Sequence, residues 1–185
     1  IENNNRRIKI LEEMAQNIYR EWFVHFRYPG HEDVPMVDSE LGRIPQGWEV
    51  KKLGDLVDML RKGINPSDYP DEMFCHYSIP AYDEGKTPVL ELGNTIRSNK
   101  YTVESNSVLL SKLNPRIKRV WLPNISNTLR SIASTEFLVL LPKEGMTLEF
   151  LYSMCESDYF LRQLAAGAGG TSTSHQRLQP SQVLD

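Results

Sequence analysis

The chain has 185 residues, 40% hydrophobic and 24% charged, the balance of a soluble globular protein with one sizeable core plus an appendage. It holds no apolar run near the ~20 residues of a membrane span and no signal peptide at its start, so a cytoplasmic setting is expected. The net charge of −3 counts against indiscriminate nucleic-acid binding.

Residues 1–28 lack Gly and Pro, and Pro29-Gly30 ends that pattern. Ile1, Ile8, Leu11, Ala15, Ile18 and Trp22 recur at spacings near three and four residues, a period of about 3.5. This predicts a helix about 40 Å long that packs along another helix. A surface helix lying on its own domain would show a similar stripe. Phe23 and Phe26 lie off the seam and are placed to dock the helix end on the globular part.

Residues 29–47 read as a linker rich in Pro, Gly and acids, and residues 48–185 as one domain. A short helix is expected near 52–60, followed by strands over Val108-Leu109-Leu110, Val120-Trp121-Leu122 and Ile132 to Leu141. A second helix begins at a Thr147 cap, with Leu148, Leu151, Tyr152, Cys155 and Tyr159 on one face. Gly167, Gly169 and Gly170 then open a loop from Ala166 to Ser174. The expected fold class is α+β: a long coiled-coil-type helix, then a compact mixed domain with a curved, mostly antiparallel sheet. The chain starts without Met inside a helical pattern and stops at Val183-Leu184-Asp185 as another element begins, so a longer parent is expected.

Charge is unevenly spread. Between Glu104 and Glu136 lie 31 residues without an acid, yet with Lys112, Arg116, Lys118, Arg119 and Arg130. Such a stretch can create a local positive field within a near-neutral domain. A solvated face carries the same charges, so charge alone leaves both readings open. Lys112, Asn114, Arg116, Lys118 and Arg119 surround a proline turn between two strands. Ser172, Thr173, Ser174, His175, Gln176 and Arg177 follow the glycines. Lysines and hydroxyls suit phosphate oxygens, whereas Arg and Gln have the paired geometry for guanine and adenine edges. Arg116, Lys118 and Arg119 are therefore the candidates for phosphate, and Gln176 and Arg177 for bases. A carboxylate could instead tie Arg177 to the domain.

Catalytic patterns are weaker. Pro70-Asp71 with Glu84-Gly85-Lys86 matches the spacing of some Mg²⁺-dependent nucleases, but Asp83 to Lys86 reads as a turn where converging strand side chains are needed. Gly85-Lys86-Thr87 lacks the earlier glycine of a phosphate loop, Pro80 standing in its place. Asn114-Pro115-Arg116 lacks the aromatic that would stack on a flipped base. His25, His31, His76 and His175 are scattered, and Cys75 and Cys155 have no ligand spacing, so neither a metal site nor a catalytic triad is expected. The two cysteines read as small buried hydrophobes.

The runs Arg20-Glu21-Trp22-Phe23-Val24-His25-Phe26-Arg27-Tyr28-Pro29-Gly30 and Leu41-Gly42-Arg43-Ile44-Pro45-Gln46-Gly47-Trp48 resemble type I restriction-modification specificity subunits. The first resembles the end of their central conserved helix, the second the start of their second target-recognition domain. Ser78 to Asp83, Leu110 to Trp121 and Ser134 to Phe137 are similar to recurring segments of such domains. The resemblance implies sequence-specific recognition of one half of a bipartite duplex-DNA site, with no catalysis by this chain. It further implies modification and restriction subunits as partners, and these would carry S-adenosylmethionine, ATP and Mg²⁺. The chain departs from the full pattern in lacking a first recognition domain and a second conserved helix. Bipartite recognition would then require pairing with another copy, through the seam of Ile8, Leu11, Ala15, Ile18 and Trp22. The rival readings are an oligomerisation module without DNA readout and the Mg²⁺ nuclease.

Overall fold

The computed structural model describes residues 2–125, 128–167 and 176–184. Helix α1 runs Glu2–Tyr19 and continues as a wider π-turn over Arg20–Val24. Phe26 then takes a φ of 57°, a left-handed value rare outside glycine, and the chain leaves the helix there, before Pro29-Gly30. Packing sets this early exit. Phe23 meets Phe150 edge-on at 4.7 Å, Phe26 meets Trp48 at 5.5 Å and 87°, and Tyr28 stacks on Trp48 at 5.5 Å. Each such pair is worth about 0.5–1.5 kcal/mol beyond its buried area. Phe23 and Phe26 thus dock the helix end as expected, with Trp48 as their common partner.

The stretch expected as a linker contains a hairpin, β1 (Met36–Ser39) and β2 (Gly42–Pro45), paired from Met36↔Pro45 to Ser39↔Gly42. Its turn rests on Gly42 at φ 104° and on the Ser39 hydroxyl, which donates to the Gly42 carbonyl at 2.6 Å. No apolar face announces it: Val37 and Leu41 are exposed. Helix α2 covers only Leu53–Leu56, and strand β3 (Val57–Leu60) replaces the rest of the helix expected near 52–60. Val57 is buried there, in keeping with a β-branched residue on a packed strand.

There follow β4 (Gly63–Ile64), β5 (Met73–Tyr77), helix α3 (Ile79–Asp83), β6 (Val89–Leu92), β7 (Lys100–Thr102), β8 (Val108–Ser111), β9 (Val120–Trp121), β10 (Arg130–Ser134) and β11 (Phe137–Pro142). They build two sheets, mostly antiparallel as expected. One has the order β4-β7-β10-β5-β6, with only β10 and β5 parallel; the other is β3-β11-β8-β9, antiparallel throughout. The four-stranded sheet is the middle layer. Val108, Leu110, Leu138 and Leu140 pack with the helices that follow, while Leu109, Phe137 and Val139 pack with Tyr77 and Ala133 of the other sheet. Burial on both faces explains why β8 and β11 are continuous apolar runs.

The expected second helix is two helices. Thr147 caps α4 (Leu148–Glu156) by accepting the Phe150 N–H at 3.2 Å. Ser157 is extended, at ψ 135°, and its hydroxyl accepts the Phe160 N–H at 3.2 Å to start α5 (Asp158–Gly167). A serine hydroxyl offers the backbone this alternative to a continuous helix. The break lets Leu151 and Cys155 of α4 and Leu161 and Leu164 of α5 all enter one core, and leaves Tyr159 exposed. Helix α6 (Pro180–Leu184) completes this layer with Val183. Cys155 is fully buried and burial pushes its thiol up, whereas Cys75 is only half-buried. Among the described residues no helix is long and apolar enough to cross a membrane.

His76 on β5 is buried, its Nδ1 bonded to Glu91 of β6. Burial holds its imidazole below the usual value, against the opposite pull of Glu91. The unfolded chain therefore takes up that proton first, near pH 6.5. His76 contributes full stability above that pH, and the contribution falls as pH drops from there toward the lower value in the fold. Melting temperatures measured from pH 8 to 5 are expected to fall more steeply for the wild type than for His76→Gln. Parallel curves would rule out His76 as the responsible group.

Candidate nucleic-acid interface

Residues that are far apart in sequence meet beside β8. After Ser111 the chain turns at Asn114, whose φ is 49° and whose carbonyl accepts the Ile117 N–H at 2.9 Å. The Asn114 N–H donates to the Gln176 carbonyl at 2.8 Å, and the Leu178 N–H donates to the Lys112 carbonyl at 2.9 Å. Leu113 and Arg177 face each other in an antiparallel bridge between these bonds. Two candidate recognition segments thus form one backbone seam. Glu136 lies against it: its carbonyl accepts the Lys112 N–H at 2.8 Å, and its Oε1 holds Arg177 Nη2 at 3.0 Å. Asn114 Oδ1, Gln176 Oε1 and Glu136 Oε2 are buried acceptors without a partner among the described residues. Ser172, Thr173, Ser174 and His175 lie outside the described residues.

The basic stretch divides by partner. Arg119 is only 9% exposed and grips Asp83 through two bonds, Nε–Oδ1 at 2.7 Å and Nη2–Oδ2 at 2.8 Å. This pairing holds the Asp83 carboxyl below its usual range. Lys118 pairs with Asp158 at 2.9 Å and Glu156 at 3.8 Å, and Arg130 with Glu72 at 2.9 Å. Arg119 is therefore a clamp on α3 and is not presented to a phosphate. The sequence shows no carboxylate near it because Asp83 lies 36 positions away. Arg116 is exposed and Lys112 partly so, and neither has a carboxylate partner among the described residues.

Arg119→Ala is expected to cost about 2 kcal/mol, because it removes two charge-assisted bonds to a carboxylate that remains partly hydrated. Arg119→Lys keeps the charge but loses the fork, and recovers only part of that. Thermal melts check the cost, and salt titration of DNA binding checks the role. A variant of unchanged melting temperature with a flatter salt slope would return Arg119 to the phosphate contacts.

Along α1, the seam residues Ile8, Leu11, Ala15, Ile18 and Trp22 are exposed. The domain is touched by the neighbouring face instead. Gln16 Nε2 donates to the Ser153 carbonyl at 3.1 Å, the Tyr152 hydroxyl donates to Glu12 at 3.4 Å, and Tyr19 meets Phe150 at 5.6 Å. Burial pushes the Tyr19 phenol up to about 12. This second face was readable in principle, since Glu12, Gln16, Tyr19 and Phe23 recur at helical spacing. In the nuclease-like pattern, Gly85 at φ 134° and Lys86 at φ 56° form the expected turn. The Lys86 ammonium goes to the Tyr152 hydroxyl at 3.1 Å and to Glu156 at 3.6 Å. Among the described residues no three His, Cys, Asp or Glu side chains group as a metal would require.

The architecture is thus a long helix docked by an aromatic cluster on a two-sheet α+β domain, with a basic turn beside the four-stranded sheet. Comparison with known proteins shows what the chain is similar to. No family model matches the chain. It is 39% identical over 57 residues to the type I restriction enzyme MjaIX specificity subunit of Methanocaldococcus jannaschii, a match covering 31% of this chain and 13% of that protein. Its fold matches the HsdS subunit from Thermoanaerobacter tengcongensis with a TM-score of 0.66 and 25% identity, over 80% of this chain and 39% of that one. A chain from a structure of type I R-M complex assembly and conformational transition matches with a TM-score of 0.65 and 26% identity, over 77% of this chain and 37% of that one. The chain is thus similar, in sequence over a short stretch and in fold over most of its length, to specificity subunits of type I restriction-modification systems. It spans well under half the length of the proteins it matches.

Proposed function

We propose that the chain reads one half of a bipartite duplex-DNA site as the recognition part of a type I specificity subunit, and carries no catalysis of its own. S-adenosylmethionine, ATP and Mg²⁺ are then handled by modification and restriction subunits assembled around it. The observation that supports this reading best is the seam of Asn114 with Gln176 and Arg177. It gathers an amide and a guanidinium at one corner of the domain, with exposed Arg116 beside it. Phosphate contacts by Arg116 and Lys112 would position the duplex, and Gln176 and Arg177 would meet base edges. In the same reading the bare stripe on α1 packs along another helix, which in a preparation of this chain alone is that of a second copy.

The methylated motif of cells carrying the intact parent system supplies the DNA for the test. Arg177 is 61% exposed and holds one carboxylate, a pair worth under about 1 kcal/mol, so Arg177→Ala should barely change the melting temperature. It should cost ~1–3 kcal/mol of binding at one position of the half-site and little elsewhere. Equal weakening on every sequence together with a lower melting temperature would make Arg177 a clamp and move the readout to another loop. Failure of the wild-type chain to prefer the motif over scrambled duplex would defeat the proposal itself.

A further inference from the structure

The trough between α1 and α5 lies outside that seam. Two adjoining clefts, of about 670 and 380 Å³, share Lys118, Asp158 and Arg162 as lining. The larger reaches Arg20 and His25 at the end of α1; the smaller reaches Arg116 on the turn after β8. Four permanent cations therefore border one continuous depression, against the carboxylates of Glu156 and Asp158.

Those two acids are already engaged. Asp158 holds Lys118 at 2.9 Å, and Glu156 lies 3.6 Å from Lys86 and 3.8 Å from Lys118. The Asp158 carboxyl sits below its usual range mainly through Lys118, and Arg162 and Arg20 add to the effect, so three positive fields overlap at this point. Arg162 uses Nε on the Asp158 carbonyl at 3.1 Å, while Arg20 and Arg116 are exposed with no carboxylate partner among the described residues. Arg20 also opens the π-turn, the one place where α1 departs from regular spacing, and such turns recur at functional positions.

We infer that this trough is a binding track for the phosphodiester backbone of duplex DNA, with Arg20 and Arg162 as its phosphate contacts and Arg116 linking it to the seam. The inference rests on the DNA reading above. It extends that reading by giving α1 a direct contact with the duplex beyond its role as a spacer. Guanidinium groups spread along an open depression suit a repeating, sequence-independent anion. A backbone phosphate held from α1 would fix the angle between helix and duplex.

The test titrates the whole chain with motif-bearing and scrambled duplexes between 50 and 200 mM salt (order-of-magnitude conditions for resolving the slope). Arg20→Ala with Arg162→Ala should weaken binding to both duplexes alike and lower the slope of log affinity against log salt by about two. Arg20→Lys with Arg162→Lys keeps the charge and should restore the slope, which a folding defect would not allow. Arg6→Ala with Arg7→Ala, at the far end of α1, should leave the slope as in the wild type. Wild-type binding matched by the alanine pair, or an alanine defect the lysine pair fails to restore, overturns the trough alone. Absence of duplex binding by the wild type overturns the DNA reading and the trough with it.

Discussion

The chain is expected to sediment as a dimer at micromolar concentration, and Leu11→Glu with Ile18→Glu as a monomer. Ile8, Leu11, Ile18 and Trp22 are 54%, 63%, 50% and 38% exposed, and Met14 and Ile10 widen the same side. This is a continuous apolar stripe in water, the kind of surface that marks an association site. Burying one Leu or Ile is worth ~1.5–3 kcal/mol, and a two-fold pair loses four such side chains in the double variant. The new carboxylates would also face one another. The domain itself should keep its melting behaviour, since Gln16, Tyr19 and Phe23 hold α1 through another face. A wild-type chain that stays monomeric across the micromolar range would refute the seam.

Gly93→Ala is expected to destabilise the domain by about 3 kcal/mol, at the upper end of ordinary overpacking. A Cβ at position 93 would sit 2.1 Å from the Tyr69 carbonyl oxygen and 2.4 Å from that of Pro66. Both neighbours are backbone, so no side chain can swing aside. The Pro66 carbonyl also accepts the Tyr69 N–H at 2.9 Å, and the Gly93 N–H donates to Glu72 at 2.9 Å. Relief would therefore require moving two bonded turns at once. For a domain of this size the melting temperature should fall by about 6–12 °C. Gly63→Ala, where nothing lies within 4 Å of the added atom, is the matched control. Equal melting of the two variants would show that the turns yield freely.

Local signals carried well where one interaction dominated. Thr147 starts a helix because its hydroxyl meets the Phe150 N–H, and β8 and β11 are apolar throughout because both faces are covered. Signals failed where a distant partner decided. Val57 is a strand residue because β11 pairs with it, and α1 ends early because Phe23 and Phe26 close on Trp48. The break at Ser157 answers to two helices sharing one core, which no window of sequence displays. The candidate site follows the same division. Residue types suited to DNA were visible at 112–119 and 176–177, but the carboxylates that claim Arg119 and Lys118 come from α3, α4 and α5.

The bonds that close the seam run between main-chain atoms: Asn114 N–H to Gln176, and Leu178 N–H to Lys112. Such bonds are indifferent to side-chain identity. Lys112, Gln176 and Arg177 can therefore be exchanged while the two segments stay aligned, whereas position 114, at φ 49°, admits few residues besides Asn, Asp and Gly. The surface is divided into a fixed hinge residue and interchangeable neighbours. Under the proposed reading, new binding preferences would arise there by single substitutions without first rebuilding the domain beneath.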